Sequence, residues 1–170
     1  MLKKILKIVA ILVVLFSLLL IISKFISDYR LHKYNNSVVN DEVFPYNQID
    51  SIFDKTNSDT IYVFLYDKDS DDCIYLDEVL LKEISYEHNG ITFENIYKVE
   101  YEQSYRSYIR QMIQNTFNIR SFPAIVALTR TEDGYEKTDS FEYVINQEEN
   151  LENLESFLER NHFFDISQKD

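Results

Sequence analysis

The sequence predicts an α/β domain, a mixed sheet with helices on both faces, preceded by one transmembrane helix. Three observations carry that reading. Residues Ile8 to Ile22 are apolar except for Ser17. Beyond them, short runs rich in β-branched and aromatic residues, Ile61 to Tyr66 and Ala124 to Leu128, alternate with stretches whose apolar residues recur at helical spacing. Toward the C-terminus, Glu132-Asp133-Gly134 marks a hairpin turn between two strand-like runs.

The apolar run comes first. Counted from Ile5 to Ile26, interrupted by Lys7 and Lys24, it is long enough to cross a hydrocarbon core, which takes about 20 residues of helix. It shows no polar face, as a buried helix of a soluble domain would. Lys3 and Lys4 resemble the basic start of a signal peptide, but no small-x-small cleavage site follows. No cysteine stands just after it to take a lipid either. Residues 1–26 are therefore expected to be an uncleaved, single-pass membrane anchor. The short N-terminal tail is placed inside and the remainder of the chain outside the cytoplasm.

Residues 27–44 are polar and mixed and read as a stalk, followed by a domain over 45–164 and a tail over 165–170. Pro45 stands where a helix can open, with Tyr46, Ile49, Ile52 and Phe53 at helical spacing and a break at Thr56 to Asp59. Ile61 to Tyr66 reads as a buried strand. After the acidic stretch Asp67 to Asp72, Leu76, Val79, Leu80 and Ile84 mark the inner face of a second helix, ended by His88-Asn89-Gly90. Phe93 to Tyr101 alternates as a strand. Tyr105, Tyr108, Ile109, Met112, Ile113 and Phe117 outline an amphipathic helix. Phe122-Pro123 leads into the strand Ala124 to Leu128, the hairpin returns through Tyr135 to Ile145, and a last helix carries Leu151, Leu154, Phe157 and Leu158. The order is α-β-α-β-α-β-β-α. The first two strands, joined by a helix, should be parallel, and the last two antiparallel.

Composition narrows the function. With Lys+Arg 17 against Asp+Glu 29, the net charge is -12. Such a surface repels phosphate backbones and argues against a nucleic-acid partner. Only 2 Gly are present, with no GxGxxG or GxxxxGK loop to cradle a phosphate. The single cysteine, Cys73, excludes an internal disulfide and any zinc site built on cysteine pairs. His32, His88 and His162 are scattered without metal-binding spacing and read as surface residues.

The element order, with a proline opening the first strand of the terminal hairpin, resembles the thioredoxin superfamily. Asn118-Ile119-Arg120-Ser121-Phe122-Pro123-Ala124-Ile125-Val126 carries the likeness, which covers roughly residues 46 to 161. The resemblance implies a cis Phe122-Pro123 bond beside the site, because thioredoxins have a cis proline in a similar stretch. It also implies a CxxC motif after the first core strand. Aligning Ile61 to Leu65 on that strand puts Ser70-Asp71-Asp72-Cys73 on the motif, so Ser70 takes the place of the attacking cysteine. Phe64 falls where many thioredoxins bury a proton-transferring carboxylate. Dithiol exchange needs a thiolate of low pKa and a resolving thiol, and a serine hydroxyl replaces neither. Asp69, Asp71 and Asp72 would raise the pKa of a nearby thiol. Anchored thioredoxin-like accessory proteins of bacteriocin export systems in Gram-positive bacteria look similar in size and layout, though those usually keep the dithiol.

The same acidic loop resembles an EF-hand. Counting from Asp67, carboxylates of Asp67, Asp69 and Asp71 fall at loop positions one, three and five and Glu78 at twelve, offsets that suit calcium. Asp72 stands where the sharp-turn glycine belongs, and Ile61 to Tyr66 reads as a strand where an EF-hand needs a helix.

Three functions follow as expectations. The first is a tethered, redox-inactive binding or export-accessory module. Its groove would be formed by Tyr66, Ser70, Asp72, Phe122 and Pro123, and it would meet an extracytoplasmic protein or peptide without a cofactor. The second is a monothiol-disulfide oxidoreductase with Cys73 catalytic. The third is a calcium-binding domain using Asp67, Asp69, Asp71 and Glu78.

Overall fold

The computed structural model describes residues 37–100 and 106–164, together with Ser17 and Leu18, which are helical. The chain divides into two compact units, 1–36 and 37–170, and the architecture below is that of the second. The expected anchor over 1–26 and the tail over 165–170 lie almost wholly outside the described residues. Among those described, no helix is long and apolar enough to cross a membrane.

Five strands form one mixed sheet: β1 (Val39–Pro45), β2 (Thr60–Tyr66), β3 (Phe93–Glu100), β4 (Ala124–Thr131) and β5 (Gly134–Glu142). Their spatial order is β1-β3-β2-β4-β5. β1 and β2 both run parallel to β3, while β4 is antiparallel to β2 and to β5. Helices α1 (Ile49–Thr56), α3 (Arg106–Phe117) and α4 (Asn150–Arg160) are single segments. Helix α2 covers residues 71–87 in three continuous pieces, Asp71–Tyr75, a π-helical turn Leu76–Leu80, and Leu81–Glu87. This is a mixed α/β layout, three parallel strands followed across the sheet by an antiparallel hairpin.

Strand alternation sorts the side chains into two cores. Ile61, Val63 and Leu65 of β2, with Ala124, Val126 and Leu128 of β4, pack against Ile52 and Phe53 of α1 and Ile113 and Phe117 of α3. Phe64 and Ile125 point the other way, into a cluster with Leu76, Leu80 and Ile84 of α2 and Leu154, Phe157 and Leu158 of α4. Helices thus cover both faces.

Four expectations shift. Residues 39–44, expected as stalk, belong to β1, and Pro45 closes that strand instead of opening a helix. Asn40, Asp41 and Glu42 break the alternation because β1 is an edge strand with irregular register at that place, and burial comes only at Val39 and Phe44. Val79 is 39% exposed: in the π-turn the Leu81 N–H reaches back to the Leu76 carbonyl, and this extra residue rotates Val79 outward. Tyr108 is 70% exposed, so the buried face of α3 rests on Ile113 and Phe117. The last strand ends at Glu142, and Val144 and Ile145 are exposed beyond it.

One polar cluster lies inside. Lys98 of β3 follows Ile96 onto the α2 side of the sheet, where its Nζ meets Asp77 Oδ2 at 2.6 Å. Ser37 Oγ donates to Asp77 Oδ1 at 2.9 Å and accepts from Lys98 Nζ at 3.2 Å. Both charged residues are buried. A buried pair of this kind adds little net stability, but removing one partner strands the other charge. Lys98→Met is expected to cost about 3–5 kcal/mol in urea unfolding. The double variant Lys98→Met/Asp77→Leu should recover most of that loss. A single-variant cost below about 1 kcal/mol would show that Asp77 finds solvent or another partner.

Candidate functional site

The site expected from the sequence lies at the carboxyl end of β2. Strand pairing ends with Leu65 opposite Ala124, which sets Tyr66 and Pro123 side by side as the two strands leave the sheet. The Phe122-Pro123 bond is cis. The chain turns at once: Ser70 N–H donates to the Asp67 carbonyl at 3.0 Å and Asp69 N–H to Asp67 Oδ1 at 3.0 Å. Ser70 is extended (φ -95, ψ 119) and caps α2, its Oγ accepting from Cys73 N–H at 3.5 Å. Ser70 is thus a helix cap at the place where the resemblance implies a nucleophile.

Cys73, one turn into α2, is 1% exposed and packs with Phe64, Leu76, Phe141 and Tyr143. Its Sγ accepts from Asp67 N–H at 3.4 Å. Burial pushes the thiol pKa up; hydrogen bonds from the Asp67 amide and the Ser70 side chain oppose this, and the charges of Asp67 and Asp72 add to it. The thiol is therefore protonated at neutral pH and enclosed.

The expected groove is assembled only in part. Tyr66, Ser70 and Asp72 are half-buried at this end of the sheet. Phe122, at 6% exposure, and Pro123 are both buried: Phe122 joins the α1–α3 core beneath the Arg110 guanidinium, 4.9 Å from its ring. They anchor the loop instead of offering an open floor. Glu142 Oε2 holds that loop from outside, accepting from Arg120 N–H at 2.7 Å and Ser121 N–H at 3.1 Å.

Two tyrosines that sequence reasoning missed complete this corner. Tyr143 N–H donates to the Pro123 carbonyl at 2.9 Å, and the Tyr143 ring lies 6.1 Å from that of Tyr75. Burial raises the Tyr143 pKa, with Asp72 and then Tyr75 adding to the effect. Lys98 was missed as well, although its position two residues after Ile96 puts it on a buried face. It pairs with Phe64 across the strands and holds its Nζ 5.2 Å from the Tyr66 ring.

The calcium set does not converge. Among the described residues no three His, Cys, Asp or Glu side chains form a group that could hold a metal ion. Asp67 turns its carboxylate onto Asp69, and from Asp71 onward the chain is helical, so Glu78 is carried into the π-turn and faces solvent. His88 is not a surface residue: its side chain is largely buried, with Nε2 3.1 Å from Glu155 and the ring stacked 3.8 Å from Phe164. His162 is exposed, and His32 lies outside the described residues.

No family model matches the chain, and no curated protein matches it. Among solved structures, the crystal structure of Plasmodium falciparum thioredoxin aligns with 72% of this chain and 93% of its own, at 11% identity and a TM-score of 0.35. A likeness this distant says nothing of chemistry. The site is read from this chain's own residues.

The raised thiol gives a pH dependence with a definite sign. Folded Cys73 holds its proton more tightly than the unfolded chain does, and Tyr62, Tyr66, Tyr135 and Tyr143 are also shifted upward, chiefly by burial. Stability from these groups is complete below the unfolded cysteine value of about 8.5 and is lost as pH rises above it, first through Cys73 and then, above about 10, through the tyrosines. Urea midpoints should hold steady from pH 7 to 8.5 and fall beyond. Cys73→Ala should remove the early part of the fall. An unchanged profile in that variant would assign the whole decline to tyrosine.

Proposed function

We propose that this chain is a membrane-tethered, extracytoplasmic thioredoxin-like domain that serves as a binding or export-accessory module without thiol chemistry. The observation that carries the reading is the burial of Cys73 behind a capping serine. An exchange reaction starts from an exposed thiolate attacking a sulfur in line. Here the one thiol is enclosed by Phe64, Leu76, Phe141 and Tyr143 and is raised in pKa. The place of the attacking group is taken by a hydroxyl that serves the helix terminus. What the corner offers a partner is shape and polarity: the half-buried Tyr66, Ser70 and Asp72 beside the exposed Tyr75. The tether rests on the apolar run Ile8 to Ile22.

Thiol labelling tests the reading. With the full chain in a mild detergent, Cys73 should react with a maleimide far more slowly when folded than after denaturation in urea, and at a rate that climbs between pH 6 and 7.5 as the small thiolate fraction grows. Labelling as fast as a free thiol's in the folded protein would instead make Cys73 a reactive monothiol and overturn the proposal. Calcium should leave the rate and the melting temperature unchanged. Stabilisation that grows with the logarithm of calcium concentration would restore the metal reading.

A further inference from the structure

A second surface starts at the Tyr75–Tyr143 pair beside the cis-proline corner and runs between α2 and the turn that leads from β5 into α4. The two walls enclose a groove of about 520 Å³. Leu80, the half-buried Leu151 and the Tyr75–Tyr143 ring pair supply the apolar part of its lining. Tyr75 is 43% exposed, and Ile74 and Val79 of α2 are exposed as well. Exposed apolar side chains gathered beside an aromatic-lined groove are characteristic of an interaction site, where aromatic residues are enriched.

The far wall is built rigidly. Asn150 is buried, with Oδ1 accepting from Val144 N–H at 3.1 Å and Nδ2 donating to the carbonyls of Val144 at 2.7 Å and Gln147 at 2.8 Å. One side chain thus locks residues 144–147, and Asn146 is held at φ 62 within that turn. A wall fixed before a partner arrives lowers the ordering cost of binding.

Charge selects the partner. Glu83 and Glu148 line the groove, no basic residue does, and the chain as a whole carries -12. Such a rim attracts Lys and Arg and repels both anionic lipid headgroups and acidic segments. We infer that this groove docks a cationic segment of a partner protein that presents an apolar face, leucine-like side chains entering between the Tyr75–Tyr143 pair and Leu151 while lysines meet Glu83 and Glu148. The inference rests on the proposed binding role and gives that role a partner chemistry.

The probe is a fluorescently labelled peptide of leucine and lysine at helical spacing, with a leucine–glutamate counterpart. Each is titrated against the full chain in zwitterionic nanodiscs, with empty discs as baseline. Saturable binding of the cationic peptide is expected, weakened by salt and about tenfold or more by Glu83→Lys/Glu148→Lys. The equal charge change Glu132→Lys/Glu136→Lys, on the β4–β5 hairpin, should leave it close to wild type. Circular dichroism on both variants checks that each is folded. Equal weakening by the two double variants would reveal general attraction to an acidic surface and overturn the inference. Absence of saturable binding, or equal binding of the acidic peptide, would do the same. Cys73 labelling on the same preparation separates this from the parent reading. Slow labelling without binding retires the groove alone, whereas groove-specific binding with fast labelling retains the groove and retires the thiol-silent role.

Discussion

The structure depends on β2 being buried on both of its faces. It is the central strand, hydrogen-bonded to β3 on one side and β4 on the other, so it has no solvent edge and no solvent face. Ile61, Val63 and Leu65 therefore serve one core and Phe64 the other, all four almost without exposure. Fully burying a side chain of this kind is worth about 1.5–3 kcal/mol. Once β2 is fixed, the rest of the site follows. Its carboxyl end is the place where parallel neighbours stop and the chain must turn, and it is there that Ser70 caps α2 and Pro123 enters β4.

That constraint also decides the state of the thiol. A residue one turn into a helix that starts directly behind a doubly buried strand points back into the core between strand and helix. Cys73 lies there in one buried cluster with Phe64 and Tyr143. Two hydrogen bonds favour the thiolate, yet burial is the larger effect and the nearby carboxylates oppose ionisation. An electropositive, partly open pocket is what activates a cysteine. Here both requirements are reversed, by packing and by charge.

Much of this was legible in the sequence, and what was not has identifiable causes. Continuous β-branched and aromatic runs announced β2 and β4, and Gly134 announced their hairpin partner. The thioredoxin resemblance of the Phe122-Pro123 stretch brought Ser70, Cys73 and Pro123 to one end of the sheet, as the strand pairing then did. β1 escaped because an edge strand can be polar in its middle: Asn40, Asp41 and Glu42 face outward between two buried anchors. The outward turn of Val79 escaped because a π-turn adds one residue to a helical period and leaves no mark on composition. Tyr75 and Tyr143 are far apart in the chain and meet only through tertiary packing. The EF-hand spacing is the reverse case, plain in the sequence while its carboxylates sit on a turn and a helix. Spacing is a property of the sequence, whereas convergence of its carboxylates requires a loop, and Ser70 ends that loop by starting a helix.

A buried ion pair lies on the same side of the sheet as the enclosed thiol. The resemblance implies a carboxylate on β2 next to the site, where this chain has Phe64. Phe64 pairs with Lys98 on β3, and the carboxylate that meets that lysine comes from Asp77, in the π-turn of α2. Asp77 bears on the ring hydroxyl of Tyr66, whose pKa rises chiefly by burial and next by that charge. A lysine and an aspartate so paired neutralise each other and tie Ser37, at the start of the domain, to the sheet and to α2. Such a pair adds little net stability over an apolar pair of similar volume, so its value lies in geometry: it fixes how the first residues of the domain meet α2. The same turn that supplies Asp77 to the interior places Val79 on the surface. One irregular helical turn thus supplies the internal anchor and sets the outward face of α2 at the same time.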